Sequence, residues 1–493
     1  VYRYIKGDDL TMACTTILVG KNASYDGSTM IARNDDSGSG HFTAKKFTVF
    51  QPQDYPAVYK SVISGVEIPL PGSGLRITAV PNAVEGKGLW AASGVNAANV
   101  GMTATETITS NPRVLGADPL VVYQPAKGER PEVPGGIGEE DIVCLVLPYI
   151  RSAREGVVRL GELLRTYGTY EMNGIAFQDV NEIWWLETIG GHHWIARRVP
   201  DDAYVVMPNQ FGIDAFDLED ALTEQKEHMC SADLKEFIEK NYLDLSQDGS
   251  FSARDAFGSH DDSDHVYNTA RAWYMLRTLN PRTKVWDGPN AEYTPFSDDL
   301  PWCMVPEKKI TVEDVKYVLS AHFQGTPYDP YAAYGDKSMK GAFRSIGINR
   351  NDFLSVIQMR PDQPEDSAIL EWVAFASNAF NVLVPFYAGV TTTPEYLSNT
   401  TAEVSTDNFY WSSRMIAAMA DASYKSSVFH IERYQEQVMA KGHELINTYD
   451  ALLAKESDEQ KRMSLKEEAN EKIAEMLKKA AADTLSKVLF ELS

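Results

Sequence analysis

The sequence predicts an α+β sandwich with a helical tail. Short β-branched and apolar runs bounded by Gly, Pro or Asn crowd residues 14–105. A Gly- and Pro-rich passage at 124–138 leads into a helical stretch, and strand-like runs return at 174–207. Strands first, helices next and strands again favour stacked layers over alternating βαβ units. The last 65 residues then switch to a spacing of three and four, the period of a helix.

The opening strands come from CTTILVG at 14–20 and from Thr29-Met30-Ile31-Ala32-Arg33, joined through Tyr25-Asp26-Gly27-Ser28 as a hairpin. Further strands are expected at 45–50, 76–80, 88–93 and 99–105. Glu139-Glu140-Asp141 set negative charge where a helix dipole favours it, and helices are expected over 141–149 and 152–166. The second strand block runs through 174–177, 182–187, 192–198 and 203–207. Helical periodicity covers 216–240, a polar loop follows at 258–265, and a helix from Val266 to Leu279 stops at Asn280-Pro281. Strands return at 344–348, 354–358 and 370–375.

In the tail, Ile431, Tyr434, Val438, Gly442, Leu445, Tyr449 and Leu452 form one helical stripe. Ala469, Ile473, Met476, Ala480 and Leu485 form another, with Ser464 and Glu467 spaced as its capping box. Such stripes serve internal packing or an oligomer contact, and a homo-oligomer is the expectation.

The net charge of −23, from 69 acidic and 46 basic residues, repels nucleic-acid phosphates, and no basic stripe offsets it. No run reaches the ~18 apolar residues that span a bilayer. Cys14, Cys144, Cys230 and Cys303 are scattered without a C-x-x-C pair, so a reducing, cytoplasmic setting is expected and neither a zinc ribbon nor a disulfide framework is implied. Three of the four read as buried thiols.

Neither H-E-x-x-H nor G-x-S-x-G occurs. His192 and His193 fall in an expected strand, where neighbours face opposite ways and cannot share a metal. The His260–His265 loop reads as solvated acid rather than a metal site. Nine histidines leave a Cys-His pair open. No cofactor or metal is implied.

The stronger signal is Ala13-Cys14, a cysteine opening the first strand behind a short leader. Released as an N-terminal residue, its α-amine has a pKa of ~7.7–8.0 and can serve as base to its own thiol. Such a thiol needs a cation and its amine needs an acid, and Arg33-Asn34-Asp35-Asp36 on the next strand offers both. Arg33 and Asp36 would straddle an extended strand, so a turn or bulge after Arg33 is required to bring both to Cys14. Asp35 competes with Asp36 for the acidic role.

The run ACTTILVGKNASYDGSTMIARNDDS resembles the opening of the cysteine dipeptidase (dipeptidase A) family, N-terminal nucleophile hydrolases related to penicillin V acylase and bile salt hydrolase. The likeness continues in order through GVNAANVGMTATET at 94–107, NEIWWLETIGGHHWIARRVPDDAYVVMPNQF at 181–211 and HVYNTARAWYMLRTLNP at 265–281. It extends to HFQGTPYDPY at 322–331 and INRNDFLSVIQMRP at 348–361.

The resemblance implies a four-layer αββα N-terminal nucleophile hydrolase sandwich with helical insertions and a C-terminal helical extension. Residues 1–13 would be a leader or propeptide, 14–428 the catalytic domain and 429–493 the helical segment. It makes Cys14 the nucleophile, Arg33 the thiolate partner and Asp36 the partner of the amine. Asn209 would donate to the oxyanion, and Arg271 matches the late arginine of the acylase site. The second oxyanion position falls at Thr105-Glu106, where the acylases carry Asn or Tyr. An ionised Glu106 donates poorly, so a backbone N–H there would serve, and Glu106 would bind a substrate ammonium group. The expected substrates are dipeptides. An acylase on N-acyl substrates, a metallopeptidase and a non-catalytic protein with a structural Cys14 are the rivals.

Overall fold

The computed structural model describes residues 14–38 and 42–493, with the side chains of Thr105 and Glu106 outside that description. Two antiparallel sheets dominate. The first has seven strands in the order Cys303–Met304, Tyr204–Met207, Thr15–Val19, Thr29–Asp36, Asn351–Met359, Ile369–Phe375 and Val384–Tyr387. The second has eight, in the order His228–Cys230, His193–Arg198, Ile183–Ile189, Asn173–Gln178, Gly101–Thr107, Ser93–Asn96, Ile77–Ala79 and Thr48–Phe50. The α+β class is borne out.

Strand alternation sorts each sheet's side chains onto two faces. Leu18, Ile31, Met207 and Ile357 of the first sheet share a buried core with Val95, Ala176, Trp185 and Ile195 of the second. The other faces meet helices. Ile17 and Ala32 lie in the cluster that holds Val315 and Leu319 of helix Val312–Leu319. On the second sheet, helix Ala153–Tyr167 comes close because two of its residues lack a Cβ. One added at Gly156 would stand 2.3 Å from the Phe177 ring, and one at Gly161 would stand 2.5 Å from Trp194. Trp184 and Trp185 are both fully buried, one toward the helix and one between the sheets.

Helices Tyr424–Leu453 and Glu459–Leu492 form a hairpin against the edge strand Val384–Tyr387. Asn470 takes the Tyr387 N–H on Oδ1 at 2.8 Å and donates Nδ2 to the Tyr387 carbonyl at 3.1 Å, so a side chain continues the ladder that the edge leaves open. Among the described residues no helix is long and apolar enough to cross a membrane.

Several expected elements differ. The 216–240 stretch breaks into helix Leu218–Leu222, strand His228–Cys230 and helix Leu234–Lys240. Asp220 causes the break, its carboxylate accepting the backbone N–H groups of Lys226, Glu227 and His228 at 2.8–3.0 Å. Residues 344–348 form no strand. A Cβ at Gly347 would lie 2.4 Å from the Ser320 carbonyl oxygen, so this backbone presses against another segment instead of a sheet. The 88–93 strand is displaced to Ser93–Asn96. The last helix begins five residues before Ser464, capped by Asp458, which accepts from Lys461 N at 2.9 Å. Ser464 therefore sits inside that helix, and Glu467 accepts from Thr391 N at 2.9 Å.

Candidate active site

Cys14 immediately precedes strand Thr15–Val19, an inner strand of the first sheet, and is fully buried. Thr15 pairs with Asn34 and Thr16 with Arg33, so the register carries Cys14 to the Asp35 position. Directly opposed residues of an antiparallel pair share a face. Cys14, Arg33 and Asp35 thus point together between the sheets, while Asn34 and Asp36 point away.

Arg33 organises this face. Its Nη2 donates to Cys14 Sγ at 2.7 Å, Asp35 Oδ1 at 3.1 Å and Glu139 Oε1 at 2.8 Å. Its Nη1 donates to the carbonyls of Ala104 and Ala92, and Nε donates to the Asn34 carbonyl at 3.2 Å. Lys45 Nζ lies 2.9 Å from Asp35 Oδ2. Two cations and two carboxylates are here withdrawn from water, which costs several kcal/mol per ion before pairing. Hydrophobic residues would stabilise the fold as well, so the cluster speaks for chemistry.

Glu139 was not anticipated as a site residue. It is the first residue of helix Glu139–Val146, and its neighbours are buried with it. Glu140 accepts from Ser61 Oγ at 2.8 Å and Tyr170 OH at 2.5 Å, and Asp141 accepts from Tyr59 OH at 2.6 Å. Burial raises the carboxyl pKa of Glu140 and, further, that of Asp141. The three acids read as a helix start in the sequence. Nothing there shows that the first of them reaches an arginine 106 residues away.

Asp36 has different partners. Its carboxylate accepts from Asn351 Nδ2 and from Arg344, and burial raises its pKa against the opposing charges of Arg344, Arg350 and Arg271. The bulge expected after Arg33 is absent from that strand, which stays extended to Asp36. The irregularity lies in the partner strand between Asn351 and Phe353. Asp35 is the carboxylate of the pair that reaches the thiol, with Oδ1 at 3.9 Å from Sγ.

Arg271 comes from helix Thr269–Leu279 and is fully buried. Its Nη1 donates to the Cys14 carbonyl and to Thr15 Oγ1 at 2.5 Å. Its Nη2 donates to Asn209 Oδ1 at 2.6 Å and Asn268 Oδ1 at 2.8 Å, and Nε donates to the Tyr267 carbonyl at 2.6 Å. By holding Oδ1, Arg271 fixes the Asn209 amide so that Nδ2 is the end left over. That nitrogen is buried without a hydrogen-bond partner among the described residues. An unpaired buried donor costs about 1–3 kcal/mol, and Arg271 holds this one in a fixed orientation.

The loop carrying Asn209 is pinned by Glu187, another residue the sequence did not single out. Glu187 Oε1 accepts from Gly212 N at 2.8 Å, Ile213 N at 3.3 Å and Trp185 Nε1 at 3.1 Å. Burial pushes the Glu187 carboxyl up to about 7 despite these donors. The Thr105-Glu106 backbone lies in strand Gly101–Thr107, where the ladder to Asn173–Gln178 shifts register between Thr103 and Glu106. The side-chain roles expected of Thr105 and Glu106 lie outside the described residues, as does Ala13.

Among the described residues one group of three ligand atoms could hold a metal, those of Cys14, Asp35 and Glu139. Arg33 Nη2 is hydrogen-bonded to two of these side chains and to the sulfur, so a guanidinium already supplies the positive charge there. His260 and His265 belong to no such group: His265 Nε2 pairs with Asp298 at 2.9 Å, and His260 lies 3.9 Å from Asp255. His192 and His193 do not face opposite ways, because the strand begins at His193 and His192 is still in the turn. Both imidazoles reach Asp118, at 2.8 and 2.7 Å.

Known proteins share this chain almost from end to end. It is 61% identical to a dipeptidase of Bifidobacterium longum over 446 residues, 90% of this chain and 84% of the relative. It is 52% identical to a probable dipeptidase A of Streptococcus pyogenes, covering 98% of both chains. To the dipeptidase A of Lactobacillus helveticus it is 43% identical, over 89% of this chain and 88% of the other. The model of peptidase family C69 matches residues 13–437. On a match of that extent, the chain belongs to peptidase family C69.

Proposed function

We propose that this peptidase is a dipeptidase that transfers the acyl group of its substrate to Cys14, exposed as an N-terminal residue once the residues before it are removed. The observation that carries the reading is the Arg271 clamp. One guanidinium holds both the Cys14 carbonyl and the Asn209 amide oxygen, and the Asn209 Nδ2 is left buried without a partner among the described residues. The relatives named dipeptidase support the substrate class. The packing of helix on sheet, sheet on sheet and sheet on helix supports the four-layer N-terminal nucleophile arrangement.

In this mechanism the freed amine of Cys14 takes the thiol proton, and Arg33 steadies the thiolate. The sulfur attacks the peptide carbonyl carbon. Asn209 Nδ2 and a backbone N–H of the irregular segment at 104–106 hold the oxyanion. The resemblance gives the amine's partner as Asp36, but that carboxylate accepts from Asn351 and Arg344, and the carboxylate on the Cys14 face is Asp35. The amine returns the proton to the departing amino acid nitrogen as the C–N bond breaks. Water then attacks the thioester, and the first amino acid leaves with its new carboxylate. While a residue precedes Cys14, the base is an amide nitrogen without a usable lone pair, so the precursor is inactive.

Intact-mass measurement of active enzyme tests this. The expected chain begins at Cys14, and Cys14→Ala loses hydrolysis of alanyl-alanine. A chain that still begins ahead of Cys14 and is fully active overturns the model, as does activity retained in Cys14→Ala. Penicillin V serves as the parallel substrate: preferential cleavage of it favours an acylase.

A further inference from the structure

Arg33 Nη2 carries two hydrogens and meets three acceptors among the described residues: Cys14 Sγ at 2.7 Å, Glu139 Oε1 at 2.8 Å and Asp35 Oδ1 at 3.1 Å. We infer that Glu139 is a positioning residue for the nucleophile: it competes with the sulfur for this nitrogen and so keeps the thiol protonated until the amine draws the proton off. The inference rests on Cys14 being the nucleophile.

Hydrogen count decides how the nitrogen is shared. While Glu139 and Asp35 each take one N–H of Nη2, the sulfur needs none and stays S–H. A thiolate must win one of those hydrogens from a carboxylate. Glu139 is the firmer competitor, because its contact is the shorter and Asp35 has Lys45 Nζ 2.9 Å from its other oxygen. The place of Glu139 is fixed from behind, where its backbone N–H donates to Glu171 Oε1 at 2.7 Å. Burial, with the charges of Glu139 and Glu140, raises Glu171 to about 8, so Glu171 adds no second anion there at neutral pH. Burial raises Glu140 and Asp141 as well.

Charge acts in the same direction. The side chains of Arg33, Lys45, Asp35 and Glu139 are 0–2% exposed, two cations against two anions. On the other side of the strand Asp36 faces Arg344, Arg350 and Arg271, and Arg271 also holds the Cys14 carbonyl. Among these residues positive charge is in surplus, and an opposite charge within ~4–6 Å lowers an acid's pKa by about 1–3. Glu139 counters that surplus from the sulfur's own side. The gain is in reactivity, since a thiolate of depressed pKa is a weaker nucleophile. A thiol that ionises near neutral pH also leaves the amine free to act as base.

The test is the rate at which iodoacetamide alkylates Cys14 of the active enzyme, followed against pH. Burial pushes Cys144 and Cys230 up to about 12 and raises Cys303, so the reagent reports Cys14. The wild type is expected to inflect at about pH 7–8. Glu139→Gln keeps an acceptor but not the charge. Its inflection should fall by at least about one pH unit, and above both inflections its alkylation should be about threefold slower. The pH profile of kcat/KM on alanyl-alanine should shift the same way. Mere support of the fold would slow both rates at every pH and leave the inflection in place. That result, or an upward shift, overturns the inference. Should Glu139→Gln fail to fold, Lys45→Met removes a cation from the same group and should raise the inflection. An unmoved profile there overturns the inference, as does a wild-type rate that stays flat down to about pH 5. Full alkylation of Cys14 with activity intact overturns the nucleophile reading with it.

Discussion

At Asn209 one end of the side chain is committed and the other is not. Arg271 holds Oδ1 at 2.6 Å, and Nδ2 is buried without a partner among the described residues. A donor of this kind is worth most when the oxyanion forms and little in the ground state. Asn209→Ala is therefore expected to lower kcat on alanyl-alanine about 10²–10³-fold with KM nearly unchanged, as steady-state kinetics will show. A rise in KM at constant kcat would instead make Asn209 a substrate-binding group. This residue was named from the sequence, along with Cys14, Arg33 and Arg271, because all four sit in runs that resemble the family and match positions to which that resemblance assigns roles. Spacing alone could not have found them: Asn209 and Arg271 are 62 residues apart and meet only through the sheet and the helix on it. The carboxylate beside the thiol was less legible. Asp35 and Asp36 are adjacent, and which one faces Cys14 depends on the strand staying extended, against the bulge that the Arg33–Asp36 spacing suggested.

Elements were legible where one periodicity dominated. The opening hairpin, the strands around Trp184 and both tail helices follow from it. The 216–240 segment was misread because its spacing suits a helix while Asp220 captures three backbone N–H groups and turns the chain. Glu187 shows the same limit at the site. In Ile183-Trp184-Trp185-Leu186-Glu187 it reads as one more strand residue, yet it holds the backbone of Gly212 and Ile213, 25 and 26 residues on. Without that anchor, the loop from Met207 to Ile213 loses its fixed height against the sheet, and Asn209 with it. Glu187→Ala is expected to reduce kcat about 10–100-fold, in keeping with the sensitivity of catalysis to displacements near 1 Å. Glu187→Gln keeps an acceptor for the same N–H groups and should recover most of the loss. Equal damage by both substitutions in the kcat assay, at matched Tm, would mean that the carboxylate's charge matters rather than its anchoring of the loop.

Across the whole molecule, the space between the sheets holds polar groups that an apolar core would not need. Glu371 on strand Ile369–Phe375 meets Thr78 Oγ1 of the opposite sheet and is otherwise surrounded by core. Burial pushes its carboxyl from 4.5 up to about 8, and the Thr78 hydroxyl offsets this only in part. The folded protein therefore holds a proton on Glu371 that the unfolded chain releases near pH 4.5. The resulting stability is fully present below that value and is lost as pH rises through about 8. Glu171, raised to about 8, and Asp352, raised to about 7, act in the same direction. Lys316, lowered to about 7 by burial, opposes them, since its neutral form is favoured in the fold and its contribution fades as pH falls from 10.5 through 7. Glu371→Gln isolates one member of this set, because glutamine keeps the shape and cannot ionise. At pH 5 the variant and wild type should melt together. At pH 9 the wild type must ionise a buried group, at a cost on the order of 4 kcal/mol, and the variant should melt about 5 °C higher. Calorimetric melts of both proteins at the two pH values check this, and an equal Tm difference at pH 5 and pH 9 would mean that Glu371 is already ionised in the folded chain.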